Sequence, residues 1–123
     1  MRYLGIDYGT KRIGLAVSDD GGRVAFPLTT VEAGRGALSA VAELAKKNSV
    51  ERIVLGESRN FKNEPNLVQE DIEQFKKDLE ELAGLPVVYE AEFLTSAQAL
   101  RSGGDDASAA ALILQSCLDR GRT

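Results

Sequence analysis

Apolar residues fall into short runs separated by polar turns, a pattern typical of the strands of a small α/β protein. We predict five strands, over residues 3–8, 13–17, 24–28, 52–56 and 86–90. The first three have short connections, and Asp19-Asp20-Gly21-Gly22 is typical of a hairpin turn. Pro27 indicates that the third strand lies at an edge or ends there. An antiparallel three-stranded meander is therefore expected at the start of the sheet.

Apolar residues recur at helical spacing later in the chain. We predict helices over 36–48 and over 66–82, the second ending at Gly84, then a short helix from Thr95 and a last helix from Asp105 or Asp106. Their buried stripes should be Leu38, Val41, Leu44 and Ala45; Val68, Ile72, Phe75, Leu79 and Leu82; and Ala109, Ala110, Ile113, Leu114, Cys117 and Leu118. The order βββαβαβαα predicts an α/β fold with a five-stranded mixed sheet, in which β-α alternation follows the meander and helices cover both faces.

The 123 residues suit one domain, and 43% hydrophobic content is enough for a packed core. No apolar run reaches the length of a membrane span, and no signal peptide precedes the first strand, so we expect a cytoplasmic protein. The single cysteine, Cys117, excludes an internal disulfide. Because it falls in an apolar helical pattern, we expect it to be a small core residue.

The chain contains no histidine, which excludes Ser-His and Cys-His nucleophile pairs and makes a zinc site improbable. Any catalysis must then use carboxylates, lysines, hydroxyls or a metal ion held by oxygen ligands. The net charge of −4 argues against tight non-specific binding to nucleic acid. A local basic patch beside an acidic metal site remains compatible with that charge.

Carboxylates follow several predicted strands, and the carboxyl ends of strands are where ligands bind in α/β sheets. The candidates are Asp7, Glu57, Glu90, Glu92, Asp105 and Asp106. Taken singly, most would be helix caps or exposed loop charges. Asp7 differs because it ends an apolar strand, where an uncompensated charge is costly. If several converge, a cation must neutralise them, and oxygen ligands favour Mg²⁺ or Mn²⁺. Spacing alone leaves that convergence open.

The turn that follows Asp7 has the composition of a phosphate-binding turn. Gly9 permits close backbone approach, Thr10 offers a hydroxyl, and Lys11 and Arg12 offer positive charge. The alternative is an ordinary β-turn whose cations face solvent.

Residues 4–19, Leu-Gly-Ile-Asp-Tyr-Gly-Thr-Lys-Arg-Ile-Gly-Leu-Ala-Val-Ser-Asp, closely resemble the opening motif of the YqgF family. Its members are described as RuvX-type Holliday junction resolvases or as pre-16S rRNA nucleases. Further matches in the same order are 52–56, 92–97 and 106–116. The resemblance covers nearly the whole chain and implies a single ribonuclease H-like nuclease domain over residues 1–123.

The resemblance also implies a function. Asp7, Glu92 and Asp106 would be the acidic triad that holds Mg²⁺ or Mn²⁺ for phosphodiester hydrolysis. The implied activity is endonucleolytic cleavage of structured RNA in 5′-end maturation of precursor 16S rRNA, during ribosome biogenesis. The alternative within the family is resolution of Holliday junctions, which are branched DNA, in recombination and repair. We expect no membrane partner, and a monomer or weak homodimer.

The chain departs from the family pattern at Ala91 and Phe93, which replace the Asp and the Arg of the family's Asp-Glu-Arg motif, and in two further places. Glu57 adds a carboxylate at the end of the central strand, so it competes with Glu92 for the role of second catalytic acid or supplements it. Residues 100–105 are short and nearly uncharged where the family often carries a basic segment. The candidates for phosphate contacts are Gly9, Thr10, Lys11, Arg12, Arg59, Lys62 and Arg101.

Two other classes of function are compatible with parts of the sequence. A catalytically weak nucleic-acid-binding scaffold would keep the fold but lack the basic segment. A nucleotide-binding fragment of the actin and Hsp70 type also has an Asp-x-Gly-Thr turn, but such ATPases need several hundred residues, so the length argues against it.

Overall fold

Five strands form one mixed sheet in the computed structural model, which describes residues 1–9, 11–57, 65–90 and 106–121. Within these ranges the side chains of 57, 65–71, 90, 106 and 121 are not described. The strands are β1 (Tyr3–Tyr8), β2 (Arg12–Ser18), β3 (Ala25–Glu32), β4 (Arg52–Glu57) and β5 (Val87–Glu90). The described helices are α1 (Ala37–Lys47), α2 (Pro65–Ala83) and α3 (Asp106–Gly121).

The strand order is β3-β2-β1-β4-β5. β1 pairs antiparallel with β2, and β2 pairs antiparallel with β3, which completes the meander. β4 lies parallel to β1 and to β5, as expected for strands joined through helices. The predicted fold class, with helices on both faces of a five-stranded mixed sheet, is therefore confirmed. The short helix predicted from Thr95 lies outside the described residues.

Each face of the sheet has its own hydrophobic cluster. On one face α1 and α2 cover branched strand residues, and that cluster includes Leu4, Ile6, Ile13, Leu15, Ile53, Leu55, Val41, Ile72, Phe75 and Leu79. On the other face α3 is the one helix among the described residues that packs against β1, β2 and β4, in a cluster formed by Ala16, Val54, Ala110, Ile113, Leu114 and Leu118. The apolar residues of α3 lie along one side of the helix, and the side chains of each strand alternate between the two faces of the sheet. Together these two patterns explain why α3 covers the second face.

Gly5 of β1 is the point where α3 approaches the sheet most closely. A Cβ atom built at Gly5 would lie 2.6 Å from the Cβ of Leu114 and 3.1 Å from the carbonyl oxygen of Ala110. The second half of α3 is also fixed to the meander, because Gln115 accepts a hydrogen bond from the N–H of Ala25 and donates one to the carbonyl of Arg23. Ala25 pairs with Ser18, near the start of β1, so α3 runs antiparallel to β1.

Two sequence-based predictions about the elements need correction. β3 continues to Glu32 rather than ending near residue 28, and Pro27 lies inside it. An edge strand can hold a proline, and the register between β2 and β3 shifts next to it. In α2, Ile72, Phe75 and Leu79 are buried as predicted, but Leu82 is 54% exposed. The helical period brings Ala83 rather than Leu82 to the core side of the last turn.

Other predicted features are present in the described residues. Gly84 ends α2 with a φ of +69° and donates its N–H to the carbonyl of Glu80. Cys117 is half-buried and packs against the α3 cluster rather than lying fully inside it. Burial raises the pKa of its thiol, although Arg52 acts in the opposite direction. None of the described helices is both long and apolar enough to cross a membrane.

Candidate active site at the carboxyl end of β1

Asp7 is a buried carboxylate near the carboxyl end of β1, with only 2% of its surface exposed. Side chains alternate along a strand, so Asp7 lies on the same face as Gly5, the face that α3 covers. Leu4 and Ile6 lie on the opposite face, in the cluster with α1 and α2. A short apolar strand thus carries one charged residue to the α3 side of the sheet edge.

One row of paired residues crosses the whole sheet at Asp7. The pairing register places Thr30, Gly14, Asp7, Gly56 and Glu90 side by side on β3, β2, β1, β4 and β5. Both direct neighbours of Asp7 in this row are glycines, so no side chain from an adjacent strand fills the space beside its carboxylate. At this level of β2, β1 and β4, Asp7 is therefore the one residue that carries a side chain.

The packing of α3 brings Asp106 toward the same place. Ala110 lies over Gly5, and α3 runs antiparallel to β1. Four residues back along a helix cover about 6 Å. Two residues forward along a strand cover about 7 Å. The first residue of α3, Asp106, therefore lies at the level of Asp7 along the strand direction.

The structure describes the positions of some of the other predicted acids but not of all. Glu57 ends β4 and pairs with Tyr8, one register position beyond Asp7. Glu90 ends β5 in the row of Asp7. Glu92 and Asp105 lie outside the described residues. Among the side chains that the structure does describe, no three Asp, Glu, His or Cys residues form a group suited to a metal ion. The roles of Glu57, Glu92 and Asp106 thus stay predictions.

The turn between β1 and β2 presents positive charge at the same edge. Lys11 and Arg12 are both exposed. A Cβ atom at Gly9 would lie 2.5 Å from the carbonyl oxygen of Arg12, so a glycine is needed for this tight turn. The N–H of Ala33 donates to the carbonyl of Lys11 at 2.9 Å, which ties the loop after β3 to the turn. Thr10, Arg59, Lys62 and Arg101 lie outside the described residues.

Sequence reasoning did not single out Tyr8 as a functional residue. Tyr8 follows Asp7 directly and therefore lies on the opposite face, where its ring packs against Phe75 of α2 with centroids 5.1 Å apart. The signal in the sequence was the position of Tyr8 next to Asp7, because consecutive residues of a strand lie on opposite faces of the sheet.

The fold defines a class of protein. A structure titled "T. thermophilus RuvC in complex with Holliday junction substrate" superposes with a TM-score of 0.64, at 19% identity, covering 100% of this chain and 98% of that one. The fowlpox virus Holliday junction resolvase superposes with a TM-score of 0.60, at 14% identity, over 98% and 99% of the two chains. The fold is thus that of the ribonuclease H-like proteins.

Within that class the sequence identifies the family. The model of the family described as "RuvX: Holliday junction resolvase" matches residues 1–120, and the chain belongs to this family. A protein of Syntrophus aciditrophicus (strain SB) is 38% identical over 97% of this chain and 89% of its own length. One of Caldanaerobacter subterraneus subsp. tengcongensis is 37% identical over 97% and 96% of the two chains. Both are named "Putative pre-16S rRNA nuclease".

Proposed function

We propose that this protein is a metal-dependent endonuclease that hydrolyses phosphodiesters of structured nucleic acid, in 5′-end maturation of precursor 16S rRNA. Residues 1–123 would act as one nuclease domain. Family membership and the nuclease names of relatives at 37–38% identity support this proposal. The observation that carries it is the buried Asp7 carboxylate, flanked by Gly14 and Gly56 in one row, with the α3 helix packed on the same face of the sheet.

The donor chemistry of this edge fits a hard divalent cation. Every acidic candidate offers carboxylate oxygens, and the chain has no histidine and only one cysteine. Such donors suit Mg²⁺ or Mn²⁺ rather than zinc or copper. Asp7, Glu92 and Asp106 would hold the ion, with Glu57 as the other candidate for the second acid. When bound, the ion supplies an acidified water and neutralises charge on the phosphate.

The protein's own groups would bind the substrate and transfer the proton. Lys11 and Arg12, exposed on the β1–β2 turn, would contact phosphates on either side of the scissile bond. Gly9, Thr10, Arg59, Lys62 and Arg101 are the further candidates for this contact. Since the chain lacks histidine, a carboxylate is the natural proton acceptor for the attacking water, and Glu57 and Glu92 are its candidates.

Replacing Asp7 tests this proposal. We expect Asp7→Asn to lose more than about 100-fold in cleavage of a precursor 16S rRNA fragment with Mg²⁺ or Mn²⁺, since even outer-shell partners of metal ligands cost up to about that much. The matched control is Asp119→Asn, at the exposed far end of α3. Equal cleavage by Asp7→Asn and the parent protein would refute the assignment.

Metal binding gives a readout that does not depend on turnover. Mn²⁺ at about 100 times its Kd should stabilise the parent protein by about 2.7 kcal/mol, because it binds the folded state. The thermal midpoint should therefore rise with Mn²⁺ in the parent protein and in Asp119→Asn, but not in Asp7→Asn. An equal rise in all three would place the ion elsewhere.

Resolution of Holliday junctions is the second candidate, favoured by the description of the family and by the fold shared with RuvC. Cleaving both strands of a symmetric junction calls for two active sites, so this activity would need at least a weak homodimer. Parallel assays with the rRNA fragment and a four-way DNA junction, combined with sedimentation across protein concentration, separate the two activities. Binding without cleavage of either substrate would favour a scaffold.

A further inference from the structure

A cleft of about 290 Å³ opens on the face of the sheet opposite Asp7. It lies between the end of β1, the start of α1 and the middle of α2. Its lining combines aromatic, aliphatic and polar side chains, including Tyr8, Ile13, Leu38, Phe75, Gln74 and Asp78. We refer to it as the Tyr8 cleft.

The Tyr8 cleft and the candidate active site lie on opposite faces of the sheet, at the same end of β1. Asp7 and Tyr8 are consecutive residues at the end of one strand, so one serves the α3 face and the other the α1 and α2 face. A nucleic-acid strand that crosses this sheet edge with a phosphate beside Asp7 would bring a neighbouring nucleotide to Tyr8.

Charges around the cleft separate the place for a phosphate from the place for a base. Arg35 is exposed and follows Gly34, which lines the cleft. Lys11 is exposed, and its carbonyl accepts a hydrogen bond from the Ala33 N–H in the loop after β3. Arg12 is exposed and, by strand alternation, lies on the Asp7 face of the sheet. On the exposed side of the lining, Gln74 donates a hydrogen bond of 2.9 Å to Asp78. The Asp78 carboxylate disfavours a phosphate in the cleft and can accept a hydrogen bond from the amino group of a base.

We propose that the Tyr8 cleft binds one unpaired nucleobase of the nucleic-acid substrate, stacked on the Tyr8 ring, while the adjoining phosphates meet Lys11, Arg12 and Arg35. Aromatic side chains bind unstacked bases in this way, and every base has a face suited to it. The inference rests on the proposed function, since it assigns a subsite to the same nucleic-acid substrate. It predicts that cleavage is favoured next to a bulged or single-stranded nucleotide rather than inside a continuous duplex.

A fluorescent base analogue tests the stacking directly. The probe is an RNA hairpin with one bulged 2-aminopurine, compared with the same hairpin fully paired, and bound to full-length Asp7→Asn to prevent cleavage. We expect binding to quench the bulged probe, and Tyr8→Leu in this background to abolish the quenching. Tyr8→Leu should also weaken binding of the bulged probe about tenfold, within the range for loss of one base–aromatic stack.

The controls isolate the ring of Tyr8. Tyr8→Phe keeps the ring and should retain quenching and affinity. Phe26→Leu removes a half-exposed ring at the opposite end of the sheet and should change neither. The fully paired hairpin should bind Tyr8→Leu within about twofold of its binding to the Tyr8 protein. Undiminished quenching and affinity in Tyr8→Leu would overturn the proposal.

Photocrosslinking keeps the proposal testable if Tyr8→Leu fails to fold. A 5-iodouridine at the bulged position should crosslink to Tyr8 of the Asp7→Asn protein, as mapped by peptide mass spectrometry, and a crosslink confined to other residues would contradict the subsite. Cleavage by the parent protein together with a negative result here would remove the subsite and leave the nuclease assignment intact. Absence of both cleavage and binding would remove both.

Discussion

The two faces of the central sheet differ in composition although they share the same strands. Toward α1 and α2, β1, β2 and β4 present large branched residues, all at most 1% exposed: Leu4, Ile6, Ile13, Leu15, Ile53 and Leu55. Toward α3 the same strands present Gly5, Asp7, Gly14, Ala16, Val54 and Gly56, which are small apart from Asp7 and Val54.

This difference decides how closely the helices approach the strands. On the branched face two helices pack against large apolar side chains. On the small-residue face α3 packs almost on the backbone at Gly5. We therefore expect substitutions of the six branched residues to change stability, and substitutions on the small-residue face, which holds the proposed Asp7 site, to change activity first.

The largest effect should come from the branched face. Leu55 is fully buried, and Leu55→Ala should lower the free energy of unfolding by about 2–5 kcal/mol. Urea denaturation followed by circular dichroism measures the change. Leu82→Ala, at a leucine that is 54% exposed, is the control and should stay within about 0.5 kcal/mol of the parent protein. If the two variants lost the same stability, this face would not be the main core.

A smaller loss of stability with a larger loss of activity should follow from Gly5→Ala. Its Cβ would lie 2.6 Å from the Leu114 Cβ, so α3 must shift, at a cost of about 1–3 kcal/mol. The shift moves Asp106 away from Asp7, and cleavage should fall well below that of Leu55→Ala when both are folded. In the control Gly21→Ala, the nearest contact of the new methyl is an ordinary 3.7 Å. Full activity in Gly5→Ala would show that the position of α3 is not critical.

The smallest effect concerns Cys117, the only cysteine, which reports how α3 packs. Burial raises its pKa above the ordinary 9.0, so at pH 8 its thiolate fraction, and hence its alkylation rate, should be lower than that of an exposed thiol. The rate should continue to rise with pH above 9.0. Gly5→Ala should accelerate the reaction with iodoacetamide at pH 8, whereas Leu82→Ala should not. A rate equal to that of a free thiol would mean that α3 does not shield Cys117.

Much of this architecture could be predicted from local patterns. β1 has the predicted bounds. The bounds of five further elements differ from prediction by one residue, at one end in β4 and β5 and at both ends in β2, α1 and α2. The errors arose where tertiary position overrides a local signal. Pro27 is tolerated because β3 is an edge strand, and Leu82 is exposed because the helical period brings Ala83 to the core side of the last turn of α2.

The candidate site was predictable to a lesser degree. Asp7 stands out in the sequence because a charge at the end of an apolar strand is unusual. Gly14 and Gly56 flank Asp7 because of the register of β1 with β2 and β4. This register joins separate segments of the chain, so it cannot be predicted from any one of them. Tyr8 appeared to be only the end of a strand, since the cleft beside it requires α1 and α2 to be in place.

The sequence by itself determined most of the elements and the family, and it singled out Asp7 as the candidate for the central acid. Alternation, helical spacing and the opening motif that support these predictions all lie within short stretches of chain. Only the tertiary structure decided which helices cover each face of the sheet and which residues each side chain contacts there. Those outcomes depend on strand register and helix packing between segments far apart in the chain. The Asp106 end of α3 thus reaches the level of Asp7 only because Gly5 admits the helix, while Tyr8, one residue later, faces the opposite side.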